Sequence, residues 1–225
     1  MDLRLALTTT GAVRDFTDRP VDDEVLRAVL DDARFAPSGG NRQPWSVAVI
    51  TDSSVRRAVR DAYLDAWHDY VAHHLVGVTP FAPTATDDER AAVARRREEA
   101  RALSRPDGFP ETLDTVPAML AVAADLDVLA ATDRDLERFP LVAGASVYPF
   151  VWSILLAARE RGLGGVMTTV ASAREENLRD ALGLPPRSAL AAVVILGWPA
   201  SAPTRLRRRP VADFATRDRF DGPSF

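Results

Sequence analysis

Residues 144–165, GASVYPFVWSILLAARERGLGG, form the most apolar stretch of the chain and limit its fold more than any other. Val147, Val151, Ile154, Leu155 and Ala158 recur at helical spacing on one side, while Phe150 and Trp152 fall on other sides. A helix apolar around most of its circumference is buried on several faces. The chain has 225 residues, long for one domain and short for two. In so short a chain, a subunit interface is one way to cover such a helix. Pro149 fits best in its first turn, where the missing N–H is not needed.

The rest of the pattern mixes helices and strands. Residues 22–36 read as a helix with Asp22 as N-cap, a staple between Val21 and Leu26, and an apolar stripe of Val25, Leu26, Val29, Leu30 and Ala33. Pro37 stops it. Val47–Thr51 reads as a strand. Residues 53–76 read as a helix with Val55, Val59, Tyr63, Ala66 and Tyr70 on one side. Residues 86–104 read as one charged, solvated helix over an edge of the domain, and 118–126 as a buried strand with Asp125 near its end. GGVMTTV is a short extended piece. SAREENLRDALGLP reads as a helix with Ser172 and Glu175 as a capping box and Gly183 as its stop. SALAAVVILGWP is a final strand, and the tail from 201 has no period. The expectation is an α+β fold with helices outnumbering strands.

Composition narrows the chemistry. With no cysteine, disulfides, thiolate catalysis and thiolate metal sites are excluded. A net charge of −4 argues for neither nucleic acid nor a membrane surface. No apolar run reaches spanning length and the N-terminus lacks a signal peptide's apolar stretch, so the reading is a cytoplasmic protein. HDYVAHH places His68, His73 and His74 at helical spacing, but no HExxH and no further ligand cluster accompanies them. They read as surface histidines. No GxSxG, Walker loop or GxGxxG occurs, and GLGG at Gly162–Gly165 reads alone as a helix cap and turn.

One loop carries more polar capacity than a connection needs. APSGGNRQPW, residues 36–45, offers Ser38, Asn41 and Gln43 as donors and acceptors, with glycine backbone open to close approach. That mixture suits a heterocycle with carbonyls and ring nitrogens. It also suits a tight turn whose side chains cap their own backbone. Arg14, and the tail cluster Arg205, Arg207, Arg208 and Arg209, suit forked contacts with phosphate or a solvated surface.

Taken in order, AVRDF, a capped helix, APSGGNRQPW and a strand resemble the N-terminal part of the FMN-dependent nitroreductase-like flavoproteins. ILLAARERGLGG, a further helix, LGLP and AVVILGWP follow the same family's order, and RRRPV looks like its basic FMN-phosphate segment. The resemblance covers about residues 7–215. It implies a three-layer α+β sandwich with a mixed, mostly antiparallel sheet flanked by helices. It also implies a single domain with a helical insertion at about 67–110 and a C-terminal arm at about 200–225, forming an intertwined homodimer with FMN at each interface. By the same resemblance, Arg14 matches a phosphate-contacting base. Pro37, Ser38, Gly39 and Asn41 match the loop lining the flavin, with Gln43 beside it. Gly164, Gly165 and Met167 match the segment facing the ring from the partner subunit. Arg207 or Arg208 matches the second phosphate base.

Where many members carry an arginine with a serine or histidine, this chain has Gly11 and Ala12, so two contacts to FMN are missing and the tail arginines are the available substitutes. The implied activity is electron transfer from NAD(P)H to a nitroaromatic, quinone or related planar acceptor by a ping-pong mechanism, with the flavin carrying the chemistry and no catalytic side chain. The same scaffold also serves flavin-dependent dehydrogenases or oxidases of biosynthetic intermediates, and a non-catalytic flavin-binding protein is a third reading.

Overall fold

The computed structural model describes residues 1–201 and 203–225. Among these, seven α-helices accompany four strands. The helices are α1 (Leu3–Thr9), α2 (Asp23–Ala33), α3 (Ser53–Val76), α4 (Asp87–Arg95), α5 (Arg97–Ala102), α6 (Tyr148–Glu160) and α7 (Glu175–Leu182). The strands are β1 (Trp45–Val49), β2 (Ala118–Asp125), β3 (Gly164–Thr168) and β4 (Ser188–Gly197). They pair in the order β1-β2-β4-β3, every pair antiparallel. The mixed character expected of the sheet survives only as an isolated parallel bridge between Ala12 and Gly165.

Strand alternation explains the layers. Ala118, Leu120 and Val122 of β2, with Ala192, Val194 and Leu196 of β4, pack into one core with Leu26 and Val29 of α2 and Phe150, Val151 and Ile154 of α6. Met119, Ala121, Val193 and Ile195 face the other way, against Val59 and Tyr63 of α3 and Leu178 of α7. Helices thus cover both faces, giving three layers. The register shifts between Val122 and Ala123, so that Leu190 of β4 joins the second core although Ala192 joins the first. An extra residue at a bulge flips the side-chain alternation in this way.

Several local expectations change. The charged stretch forms two helices meeting at Arg96, whose ψ of −1° interrupts the turn geometry. Val93 and Ala100 bury against Ala72, and Arg97 bonds Asp65 and Asp69 of α3, so the pair is docked rather than simply solvated. The Ser172 capping box does not form. Ser172 donates instead to the Leu190 carbonyl at 2.7 Å, while Glu175 accepts from the Leu190 N–H and from Arg179. Tertiary partners outcompete the local cap. His68 and His73 are buried, not on the surface. His68 Nε2 pairs with Ser104 Oγ at 2.9 Å and His73 Nδ1 with the Asp69 carbonyl at 2.6 Å. Burial, and then Arg101 and Arg97, lower the pKa of His68. The first strand lies two residues earlier than expected, and α1 was not foreseen.

Candidate functional site

The polar loop sits between α2 and β1 and bends sharply. Gly40, Asn41 and Gln43 all have left-handed backbones, with φ of 62°, 53° and 49°. Such φ values are uncommon outside glycine. The loop's own hydrogen bonds hold them. Ser38 Oγ accepts the Gln43 N–H at 2.9 Å, and the Gln43 side-chain amide donates to Asn41 O and Oδ1, each at 3.3 Å. Much of the loop's polarity therefore goes into its own geometry. Both ends are pinned to the start of α6. Trp45 stacks on Phe150 with centroids 4.6 Å apart, and the Gly39 N–H donates to Ser146 Oγ at 3.0 Å. Pro37, Gly39, Asn41 and Gln43 remain exposed, with Ser38 half-buried. The candidate ring-contacting atoms thus stand on a rigid turn that faces outward.

The other candidates gather at the far end of α6. The Val13 N–H donates to the Gly165 carbonyl at 2.9 Å, laying the N-terminal segment along the outer edge of β3. A Cβ on Gly164 would come within 2.9 Å of Val13 Cβ, and one on Gly165 within 2.5 Å of the Ile195 carbonyl. Internal packing alone therefore demands both glycines. Met167 is half-buried in the same strand. Arg14 follows Val13 and points outward, 5.9 Å from the Phe109 ring centroid, on the wall of a cavity of about 650 Å³ shared with Thr17, Asp18 and Thr112.

The tail reaches the same segment. The Leu206 N–H donates to the Thr8 carbonyl at 3.0 Å. A Cβ at Gly11 would lie 2.8 Å from Leu206 Cδ2, so the missing side chain at Gly11 is what lets the arm dock. Arg207 and Arg208 are thereby held near the N-terminal segment, both exposed. Among the described residues neither they nor Arg14 forms an ion pair.

Arg14 lines one cavity and Arg207 and Arg208 line another, so the structure does not bring the three guanidiniums together, although each suits a phosphate. Two more groups nearby were invisible in the sequence. Thr10 Oγ1 and Arg159 Nε are buried without hydrogen-bond partners, and both residues line a narrow cleft with Gly164 and Gly165. The chemistry of these residues therefore fits a phosphate-bearing heterocycle such as FMN. The candidates do not all converge within one chain. Ser146 precedes α6 and Gly164 follows it, and thirteen helical residues lie between, a rise of about 20 Å. Among the described residues no cluster of His, Asp or Glu could hold a metal ion, and no helix is long and apolar enough to cross a membrane.

Known proteins match this arrangement over most of its length. The chain is 28% identical over 191 residues to a nitrobenzene nitroreductase of Ectopseudomonas oleovorans, covering 83% of this chain and 82% of that protein. It is 27% identical over 211 residues to an NADH dehydrogenase of Thermus thermophilus, covering 94% and 93%. The FMN and NADPH-dependent nitroreductase NfnB from Sphigopyxis sp. strain HMH superposes with a TM-score of 0.64 at 23% identity, covering 98% of this chain and all of the other. The model of the Nitroreductase family matches residues 8–198, which include Arg14, the polar loop and Gly164–Met167 but not the arginine tail, and the chain belongs to that family.

Proposed function

We propose that this protein is an FMN-dependent NAD(P)H oxidoreductase that passes electrons to a nitroaromatic, quinone or related planar acceptor, and that it works as a homodimer with one flavin at each subunit interface. The observation that carries the reading is the separation of the candidate residues at opposite ends of α6. In this reading each chain contributes two half-sites, and a second copy completes them. The nitroreductase and NADH dehydrogenase relatives, and the FMN and NADPH dependence named for the structural neighbour, support the same chemistry.

In this reading, Arg14, Arg207 and Arg208 hold the phosphate. Pro37, Ser38, Gly39, Asn41 and Gln43 present hydrogen-bonding groups to the ring from one subunit, and Gly164, Gly165 and Met167 line it from the other. When bound, FMN supplies the hydride and electron transfer, so no side chain need act as a nucleophile. Backbone N–H groups near Gly164 and Gly165 would hydrogen-bond the ring and stabilise negative charge on it without reorganising. Donor and acceptor use one face in turn, which gives parallel lines in double-reciprocal plots.

The test is direct. Purified protein is expected to be yellow and to bleach when titrated anaerobically with NADH or NADPH. Asn41→Gly keeps the left-handed backbone while deleting the side-chain amide, and is expected to weaken FMN binding about tenfold, on the scale of one hydrogen bond in a protected site. A colourless protein that stays colourless with added FMN would sink the proposal.

A further inference from the structure

Residues 126–142 connect β2 to the turn before α6 and, up to Val142 where that turn begins, contain no helix or strand. Loops of this length without regular structure are uncommon and need an internal anchor. The anchor here is Asp133, whose side chain is 4% exposed in a segment where most neighbours are exposed. Its carboxylate accepts the Leu141 N–H at 2.8 Å and the Val142 N–H at 3.2 Å, and pairs with Arg138 Nη1 at 2.7 Å. Arg138 also donates to the Phe139 carbonyl at 2.9 Å. Four residues of the returning limb are thus tied to one carboxylate on the outgoing limb, directly or through Arg138.

This closure reaches the polar loop. The limb that Asp133 holds runs directly into the 3₁₀ turn Val142–Ser146, and Ser146 Oγ accepts the Gly39 N–H. On the outgoing limb Ala130 also stands against Gly39, where an added Cβ would lie 3.8 Å from Ala130 Cβ. Gly39 is therefore bonded to the returning limb and lies close to the outgoing one, and the Asp133 carboxylate ties the two limbs together.

We propose that Asp133 is a positioning residue: its buried carboxylate clasps the 126–142 loop shut and thereby fixes Gly39 and the turn built on it. A buried acceptor satisfied by two backbone donors and a guanidinium cannot be deleted cheaply. The Leu141 and Val142 N–H groups and Arg138 all end on the same oxygen, Oδ2, so Asp133→Asn can keep them, whereas Asp133→Ala removes the acceptor and leaves every donor unpaired. The clasp itself depends only on this chain. Its effect on flavin rests on the function proposed above.

Amide hydrogen exchange of the intact protein tests the clasp without reference to activity. In Asp133→Ala, exchange at Leu141 and Val142 is expected to accelerate about tenfold or more, the size of a lost charge-assisted hydrogen bond, and exchange at Gly39 to accelerate with it. Ser146→Ala should free Gly39 but leave Leu141 and Val142 protected. Arg138→Ala, which keeps both backbone bonds, should give a smaller change at all three. Unchanged Leu141 and Val142 in Asp133→Ala would overturn the clasp. Acceleration at those two with Gly39 unaffected would overturn its reach to the polar loop. With FMN present, the Kd should rise several-fold in Asp133→Ala and in Ser146→Ala, and no further in the double variant. A wild-type protein that binds no FMN would defeat the proposed function while leaving the exchange result to decide the clasp.

Discussion

Gly11 and Gly165 are each small because something else occupies the space, and the two spaces have opposite consequences. At Gly165 a methyl group would meet the Ile195 carbonyl at 2.5 Å, and backbone in the centre of a sheet cannot step aside. Gly165→Ala is expected to cost about 1–3 kcal/mol, as overpacking does, read as a lower midpoint in urea. At Gly11 the obstacle is the end of the Leu206 side chain, part of a surface arm that can move. Replacing Gly11 should loosen the tail and not the core. The sequence showed only that an arginine and a hydroxyl expected from the resemblance were absent. The reason for their absence, a docking place for the arm that carries Arg207 and Arg208, needs coordinates. The polar loop was legible because its residue types have strong turn chemistry at short range. That the same groups satisfy one another was equally implied by those types, and both readings hold in part. Asp133 was not legible. In TDRDLERF it is one acidic residue among several, and only burial distinguishes it.

Helix α3 shows what periodicity can and cannot deliver. Its ends, Ser53 and Val76, were plain from the pattern, and Asp52 caps it by accepting from Ser54 and Val55. Its polar positions were not assignable. Asp65 and Asp69, one turn apart, bind both Arg97 of α5 and Arg174 of the turn after β3, with Arg97 Nε 2.7 Å from Asp69 and Arg174 Nε 2.6 Å from Asp65. Side-chain hydrogen bonds from Arg174 and Arg97 outweigh burial and lower the pKa of Asp65. This four-residue network joins three elements distant in sequence, which is why no local rule finds it. Arg97→Ala is expected to destabilise the fold by about 1 kcal/mol, since the partners are partly exposed. The loss should shrink in 1 M salt, where such pairs are screened. Equal losses at low and high salt would mean that Arg97 acts through its aliphatic stem.

As a whole the molecule exposes 13618 Å², whereas a compact monomer of 24.5 kDa should expose about 10,000 Å². The surplus has identifiable owners. Leu3, Leu5 and Leu7 of α1, Tyr148 and Trp152 of α6, and Phe214, Phe220 and Phe225 of the arm are all exposed. The all-round apolarity of residues 144–165 thus resolves into an inner face buried in the chain and an outer stripe of Tyr148 and Trp152 with no cover. The proposed homodimer would cover it. Trp152→Asp is expected to give a monomer by sedimentation, with flavin lost at the same time because each site needs both subunits. A dimer that persists with flavin bound would refute an interface on this face. The fold class and element order were legible because strands and helices alternate cleanly. The proposed assembly rests on a burial demand, the exposed Tyr148 and Trp152, that this chain leaves unmet.

The sheet order carries a consequence for the timing of synthesis. Strand β4 lies between β2 and β3, yet it is made last of the four. The N-terminal segment through Val13 rests on β3, and the tail returns to Thr8. The N-terminal segment therefore waits for α6 and β3, far along the chain, before it has anything to hold. Until residue 197 has emerged, β1 and β2 can form only a two-stranded ribbon, which is marginal in water. A nascent chain of this design spends most of its translation with its apolar helices uncovered, and that interval, more than the finished fold, is where it depends on protection from aggregation.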